Sequence, residues 1–269
     1  MNNNRIPIEP IYQIISLLIS FIIVHATYVT VIRPAAKEFM AQQVELAEQD
    51  PNYQEERNFY VVLKDYEQEA CIVLMLWAIA IIGYKGITTW RQQQLLSHNL
   101  LKLPDGLPLG PEDIPELKKR LAHLPDRSRS LLLPRALAAA IHRFGATRNV
   151  QDAATAVKDL CDVEAERQET ELSIIKYIAW AIPSVGFIGT VRGIGAALAQ
   201  AHKAVEGDIT GVTNSLGVAF NSTFIALILS IVLMFLIHQL QAMQDKLVLD
   251  TEEYCDGHLI SRLRSGPPA

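Results

Sequence analysis

Thr190 and Thr223 are the residues of this sequence whose surroundings suit chemistry in an apolar medium. Thr190 lies in "AIPSVGFIGTVRGIGAALAQA" (181–201), an apolar run that carries four glycines and an arginine, and Thr223 lies in "SLGVAFNSTFIALILSIVLMFL" (215–236). In the first run Pro183, Gly186, Thr190, Gly193, Ile194 and Ala197 recur at helical steps, and in the second Ala219, Thr223, Ala226 and Ser230 do the same. Each pattern predicts a helix with one narrow face of low bulk and a hydroxyl near its middle. In lipid, joining two helices brings no hydrophobic gain, so small residues such as Gly189-x-x-x-Gly193 mark close backbone approach. Two such faces could enclose a hydrophilic spot able to orient or pass an ion. Equally, each threonine could bond its own preceding carbonyl and merely permit packing. Spacing leaves both readings open.

The elements that must position these residues follow from composition. Half of the 269 residues are hydrophobic and a fifth are charged, and the mean hydropathy is positive, which predicts an all-α, polytopic membrane protein. Four apolar blocks match the thickness of a bilayer. Residues 1–32 give an N-terminal transmembrane helix, retained rather than cleaved because its apolar part is too long for a signal and Arg5 alone precedes it. Arg33-Pro34 is expected to end it. His25 within it is either a proton relay or a histidine bonded near the helix end.

Residues 33–69 carry nine Asp or Glu against four Lys or Arg and read as an acidic extracytoplasmic segment of two amphipathic helices broken at Pro51-Asn52. Residues 70–87 form a second, barely sufficient span. Lys85, Trp90 and Arg91 look like its cytoplasmic anchor, although Arg33 and Lys37 weigh against that orientation. Residues 88–173 then form a cytoplasmic helical domain. It opens with the linker "LKLPDGLPLGPEDIP" and has helices expected near 115–124, 131–144 and 150–173, the last running straight into the third span. Residues 174–240 form a transmembrane hairpin, with spans at 174–201 and 212–240 joined by "HKAVEGDITG", and 241–269 a short cytoplasmic tail.

Several function classes are excluded. The net charge of -5 offers no footprint for nucleic acid. Cys71, Cys161 and Cys255 are odd in number and widely spaced, without a metal-binding or disulfide pattern. The glycines miss both GxGxxG and a phosphate-binding GK[ST]. With no catalytic triad and no metal-spaced cluster, neither an enzyme nor a bound cofactor or metal is expected. None of the four spans holds an internal Asp or Glu, and Glu69 and Asp208 sit at their margins. A carboxylate for ion transfer would therefore come from another polypeptide.

"PSVGFIGTVRGIG" resembles the GxxGTVxGI signature of the MotA/TolQ/ExbB proton channel family, and "SLGVAFNSTFIALIL" resembles that family's last-helix pattern. The likeness covers roughly 150–250, and four spans with both termini in the cytoplasm resemble MotA more than the three-span members. The resemblance implies a homopentamer in the bacterial inner membrane around an ExbD/TolR/MotB-like single-span partner with an intramembrane Asp. It also implies a motor driven by the proton motive force. Thr190 and Thr223 match the pore threonines, and Pro183, Gly186, Gly189 and Gly193 match packing and kink positions, while Ala219 and Ala226 are expected from their spacing to pack on the last helix. Ser222 stands where sodium-driven relatives often carry a polar oxygen, so protons are expected and sodium stays open. Arg192 departs from the pattern, which has an aromatic or apolar residue there. It is either an anchor pairing with an acid of the outer segment or a gate against leakage. The alternative function is a homo-oligomeric membrane scaffold or receptor that conducts nothing.

Overall fold

The chain of apolar blocks becomes a chain of long helices. A computed structural model describes residues 8–49, 58–97, 100–101 and 108–264, and among these all regular structure is helical apart from one isolated bridge, Leu109 with Leu263. The helices are α1 (Ile8–Thr27), α2 (Arg33–Gln49), α3 (Phe59–Leu63), α4 (Tyr66–Leu96), α5 (Ile114–Ala122), α6 (Asp126–Arg129), α7 (Leu132–Thr147), α8 (Val150–Ala199), α9 (Ala201–Val205) and α10 (Thr210–His258). Four helical runs are long and apolar enough to cross a membrane: Glu9–Gln43, Tyr66–Leu96, Val150–Ala199 and Thr210–Arg262. They correspond to the four expected blocks, and the protein is a helical, multi-pass membrane protein. The break expected at Pro51-Asn52 and most of the linker lie outside the described residues.

Pro34 does not end the first helix. Proline has no N–H to give to the carbonyl four residues back and its ring crowds that carbonyl, so an unmodified α-helix would break or kink there. Here the chain widens into one π turn, Tyr28–Ile32, with the Arg33 N–H reaching the Tyr28 carbonyl, and continues as α2. A single π turn lets the chain pass the proline without losing helical direction. The second apolar run is likewise longer than its hydropathy suggests, because α4 starts at Tyr66 and takes in Trp90 and Arg91.

Two compact units emerge. One gathers Met1–Gly83 with Ile174–Ile237, and the other Tyr84–Ser173 with His238–Ala269. In the first, Val24 and Tyr28 of the N-terminal run pack on Val73 of α4. The Tyr12 hydroxyl donates to the Ala80 carbonyl at 3.0 Å and the Trp77 indole N–H to the Gln13 carbonyl at 2.9 Å. In the second unit, α5 and α7 bury Leu117, Leu121, Leu137, Ile141 and Phe144 against Ala153, Val157 and Cys161 of α8. Buried Glu164 accepts from Arg135 and Arg167, both at 3.0 Å. Lys85, expected as an interfacial anchor, is buried in this unit and bonds Glu171 at 2.9 Å.

The segment after the fourth apolar block is not a free tail. Helix α10 runs on past residue 240, and Leu247, Val248, Tyr254, Cys255, Leu259, Ile260 and Leu263 join the core of the second unit. Their helical spacing is an amphipathic signal hidden beside a strongly apolar block that dominates a hydropathy average. The chain end is fastened by a two-bond bridge, Leu109 N–H to the Arg262 carbonyl at 2.8 Å and Arg264 N–H to the Leu109 carbonyl at 2.9 Å. A chain stopped after Gln241 should therefore expose the α5–α7 core. Limited trypsin digestion should cut that chain between residues 114 and 167 while sparing the full-length protein, whereas a dispensable tail would leave the two patterns alike.

Candidate ion pathway

Helices α8 and α10 meet along the two faces picked out by their small residues. A β-carbon placed on Gly186 would lie 2.4 Å from the Ala226 β-carbon, one on Gly189 2.5 Å from that of Ser222, and one on Gly193 2.7 Å from that of Ala219. The pairs 186 with 226, 189 with 222 and 193 with 219 step in opposite directions, as an antiparallel hairpin requires. Ala219, Ser222 and Ala226 are buried, and Ala197 joins them. Ile194, one residue and about 100° of helix turn beyond Gly193, is exposed and lies off the contact face.

Half-buried Pro183 leaves the Ala179 carbonyl without its helical donor, and the Ser230 hydroxyl of α10 donates to that carbonyl at 3.2 Å. Unmet carbonyls are costly in lipid, so Ser230, read from the sequence only as part of a small face, has a definite partner. The Cys71 thiol of α4 lies 3.5 Å from the Ile182 carbonyl one turn along.

The two threonines exchange carbonyls. A helical threonine ordinarily bonds the carbonyl four residues before it, which is Gly186 for Thr190 and Ala219 for Thr223. Instead the Thr190 hydroxyl donates to the Ala219 carbonyl at 3.0 Å and the Thr223 hydroxyl to the Gly186 carbonyl at 3.2 Å, each across the helix pair. Thr190 also lies 3.4 Å from its own Gly186 carbonyl, and the two hydroxyls touch. Each hydroxyl has one proton and two lone pairs. Two protons thus have three kinds of acceptor within reach, and more than one arrangement of them satisfies the cluster. Ser222 does not share it: its buried hydroxyl bonds the Val218 carbonyl of its own helix at 2.9 Å, with its β-carbon against Gly189.

Arg192 is paired with an acid of the 33–69 segment, Glu67. Both carboxylate oxygens of Glu67, in the first turn of α4, accept from its guanidinium at 2.7 and 2.8 Å. Glu67 itself was missed by sequence reasoning as part of this site, although its γ-carbon comes within 3.1 Å of the β-carbon position on Gly189. The signal was available: an arginine inside an apolar run needs an acid, and Asp65, Glu67 and Glu69 stand at the edge of a neighbouring run. Glu69 is buried and holds Arg33 and His25, the latter with Nδ1 2.7 Å from its carboxylate. His25 is thus bonded near its helix end. Asp208, in the turn before α10, accepts from the Thr210 N–H at 3.1 Å to open that helix, and that bond keeps its carboxyl below the usual carboxylate range.

The contact distances separate two glycines that look alike in sequence. Gly193→Ala should weaken the α8–α10 contact, because its methyl meets the backbone nitrogen of Ala219 and the carbonyl of Ser215 at 2.8 Å, whereas Gly195→Ala enters open space. Thermal aggregation of the detergent-solubilised protein should show Gly193→Ala several degrees less stable and Gly195→Ala unchanged.

Residues 130–253 match the MotA/TolQ/ExbB proton channel family. No curated protein matches the chain. The matched segment holds the α8–α10 hairpin with its glycine contacts, Pro183, the crossed threonines, Ser222 and Arg192. With that match and that hairpin, residues 130–253 of the chain are similar to the MotA/TolQ/ExbB proton channel family.

Proposed function

We propose that this chain is the channel-forming, stator-type subunit of an ion-driven motor in a bacterial inner membrane. The observation that carries the reading is the crossed threonine pair, a polar cluster with exchangeable protons inside a low-bulk helix contact. Five copies surround a single-span partner whose intramembrane aspartate binds and releases the ion. Thr190 and Thr223 give that carboxylate hydrogen-bonding partners and hydrate the ion's path, with the carbonyls of Gly186 and Ala219 as further acceptors. The partner supplies the carboxylate that the middle of the four spans lacks. Both termini face the cytoplasm, as do residues 88–173, and residues 33–69, with the Glu67 that pairs with Arg192 and the Glu69 that pairs with His25, lie outside. One elementary charge crossing 100 mV releases about 2.3 kcal/mol, so a few ions per step exceed the strength of ordinary contacts.

One observation favours the second reading, a conduction-free scaffold. The threonine hydroxyls already have carbonyl partners and could serve only to lock the hairpin. Purification separates the two: a motor subunit brings down a single-span protein with an intramembrane Asp in unequal copy number, and a scaffold need not.

The roles of the hydroxyls are tested by Thr190→Val with Thr223→Val, which keeps shape and removes both protons while the carbonyls retain their helical N–H donors. Ion-driven output should fall by about tenfold or more with assembly intact on a native gel. Thr→Ser at the same positions should keep most of it. Normal output in the valine double variant would refute the assigned roles.

A further inference from the structure

Asn221 carries an amide into the last apolar run, and among the described residues its side chain bonds to nothing. It stands two residues from both Ala219 and Thr223. Helix geometry therefore turns it about 200° from each of these contact residues, away from α8. Exposed Phe220 and Phe224 flank it. A carboxamide has two donors and an accepting oxygen, and leaving them unmet among acyl chains is costly, which is why such groups mark contacts between helices in lipid.

Arg192 presents the complementary deficit. Its Nε and Nη2 go to Glu67 at 2.7 and 2.8 Å, and its side chain is 51% exposed beside the exposed apolar Ile188 and Val191. Among the described residues its Nη1, with two N–H groups, meets no acceptor. The contacts of 186 with 226, 189 with 222 and 193 with 219 fix levels along the hairpin. One step on from the last pair, Arg192 is level with residue 220, about 1.5 Å along the axis from Asn221. Donor and acceptor thus share a depth, yet they face away from each other within one chain. The same ladder sets Gly195 level with Gly217, each about 200° from a contact residue. A β-carbon on either would meet nothing within 4 Å, so both outer sides of the hairpin admit close approach at one level.

Copies related by rotation about an axis normal to the membrane keep every residue at its own depth. A donor on one side of the hairpin can then meet an acceptor on the other side of the next copy only where the two are level. We propose that the face of α10 around Asn221 docks on the face of α8 around Arg192 in a neighbouring copy of this chain, the Asn221 amide oxygen accepting from the remaining Nη1 N–H groups. Gly195 and Gly217, one helical turn away, let the backbones come close. The contact joins two different faces, and its repetition closes a ring. It rests on the reading above that several copies surround a partner, and it names the surface that joins them. The guanidinium of Arg192 is complete only with a residue of the next copy.

Disulfide trapping of the full chain in native membranes tests the seam. Ile188 and Phe224 are exposed, level with each other and on the two faces concerned, and the native cysteines are buried. Ile188→Cys with Phe224→Cys, oxidised by copper phenanthroline in air, should give a ladder of cross-linked multimers, and either substitution alone none. Ser184→Cys with Ile228→Cys takes the place of that pair if it does not assemble on a native gel. In the same background Asn221→Leu should cut the cross-linked share about fivefold, while Asn221→Asp, facing a cation, should keep it. An assembled double-cysteine protein without a ladder overturns the proposal. So does a dimer from either single cysteine, or a ladder that Asn221→Leu leaves unchanged. A ring trapped through this seam that moves no ion removes the channel reading and leaves the seam standing, and ion flow without the ladder does the reverse.

Discussion

The approach of α8 and α10 to within the width of a missing methyl group is the constraint on which the rest depends. Lipid gives no reward for burying apolar surface between helices, so the hairpin must be held by close packing and by hydrogen bonds. The glycines at 186, 189 and 193 provide the first and the crossed threonines the second. The two are linked, because a hydroxyl reaches the other helix's carbonyl only when no β-carbons keep the backbones apart. Bulk anywhere on this face would return each threonine to its own carbonyl and erase the polar cluster.

That dependence explains what the sequence made legible. Helix type, the four apolar runs, the hairpin and its small faces are all recorded in spacing, and spacing also joined 150–173 to the third span as one helix. The positions of Gly186, Gly189, Gly193, Ala219 and Ala226 at the contact were readable because lipid-embedded contacts select small residues openly. Exchange of the two carbonyls was not, since sequence gives the residue four places back and cannot say that a facing helix offers a better-placed acceptor.

The remaining mismatches have separate physical causes. Pro34 was expected to stop a helix because its rule concerns α geometry, and one π turn changes the register in which the rule applies. The segment 241–264 read as a tail because hydropathy dominates a window and amphipathic spacing does not. Ile194 shared a helical step with Gly193 but not its azimuth, and on a face this narrow about 100° decides contact or exposure.

Charge supplies the last step. Three basic residues in or beside apolar runs each have an acid that lies far away in sequence: Arg33 with Glu69, Lys85 with Glu171 and Arg192 with Glu67. An unpaired charge in such surroundings costs several kcal/mol, which is roughly the scale on which one misplaced helix would destabilise the fold. These pairs therefore do more than neutralise. Arg192 can meet Glu67 only if the start of α4 lies against α8 near Gly189, and Arg33, directly after the π turn Tyr28–Ile32, meets Glu69 in the register that turn sets. The ion pairs select one arrangement of apolar helices that hydrophobicity alone would leave nearly degenerate.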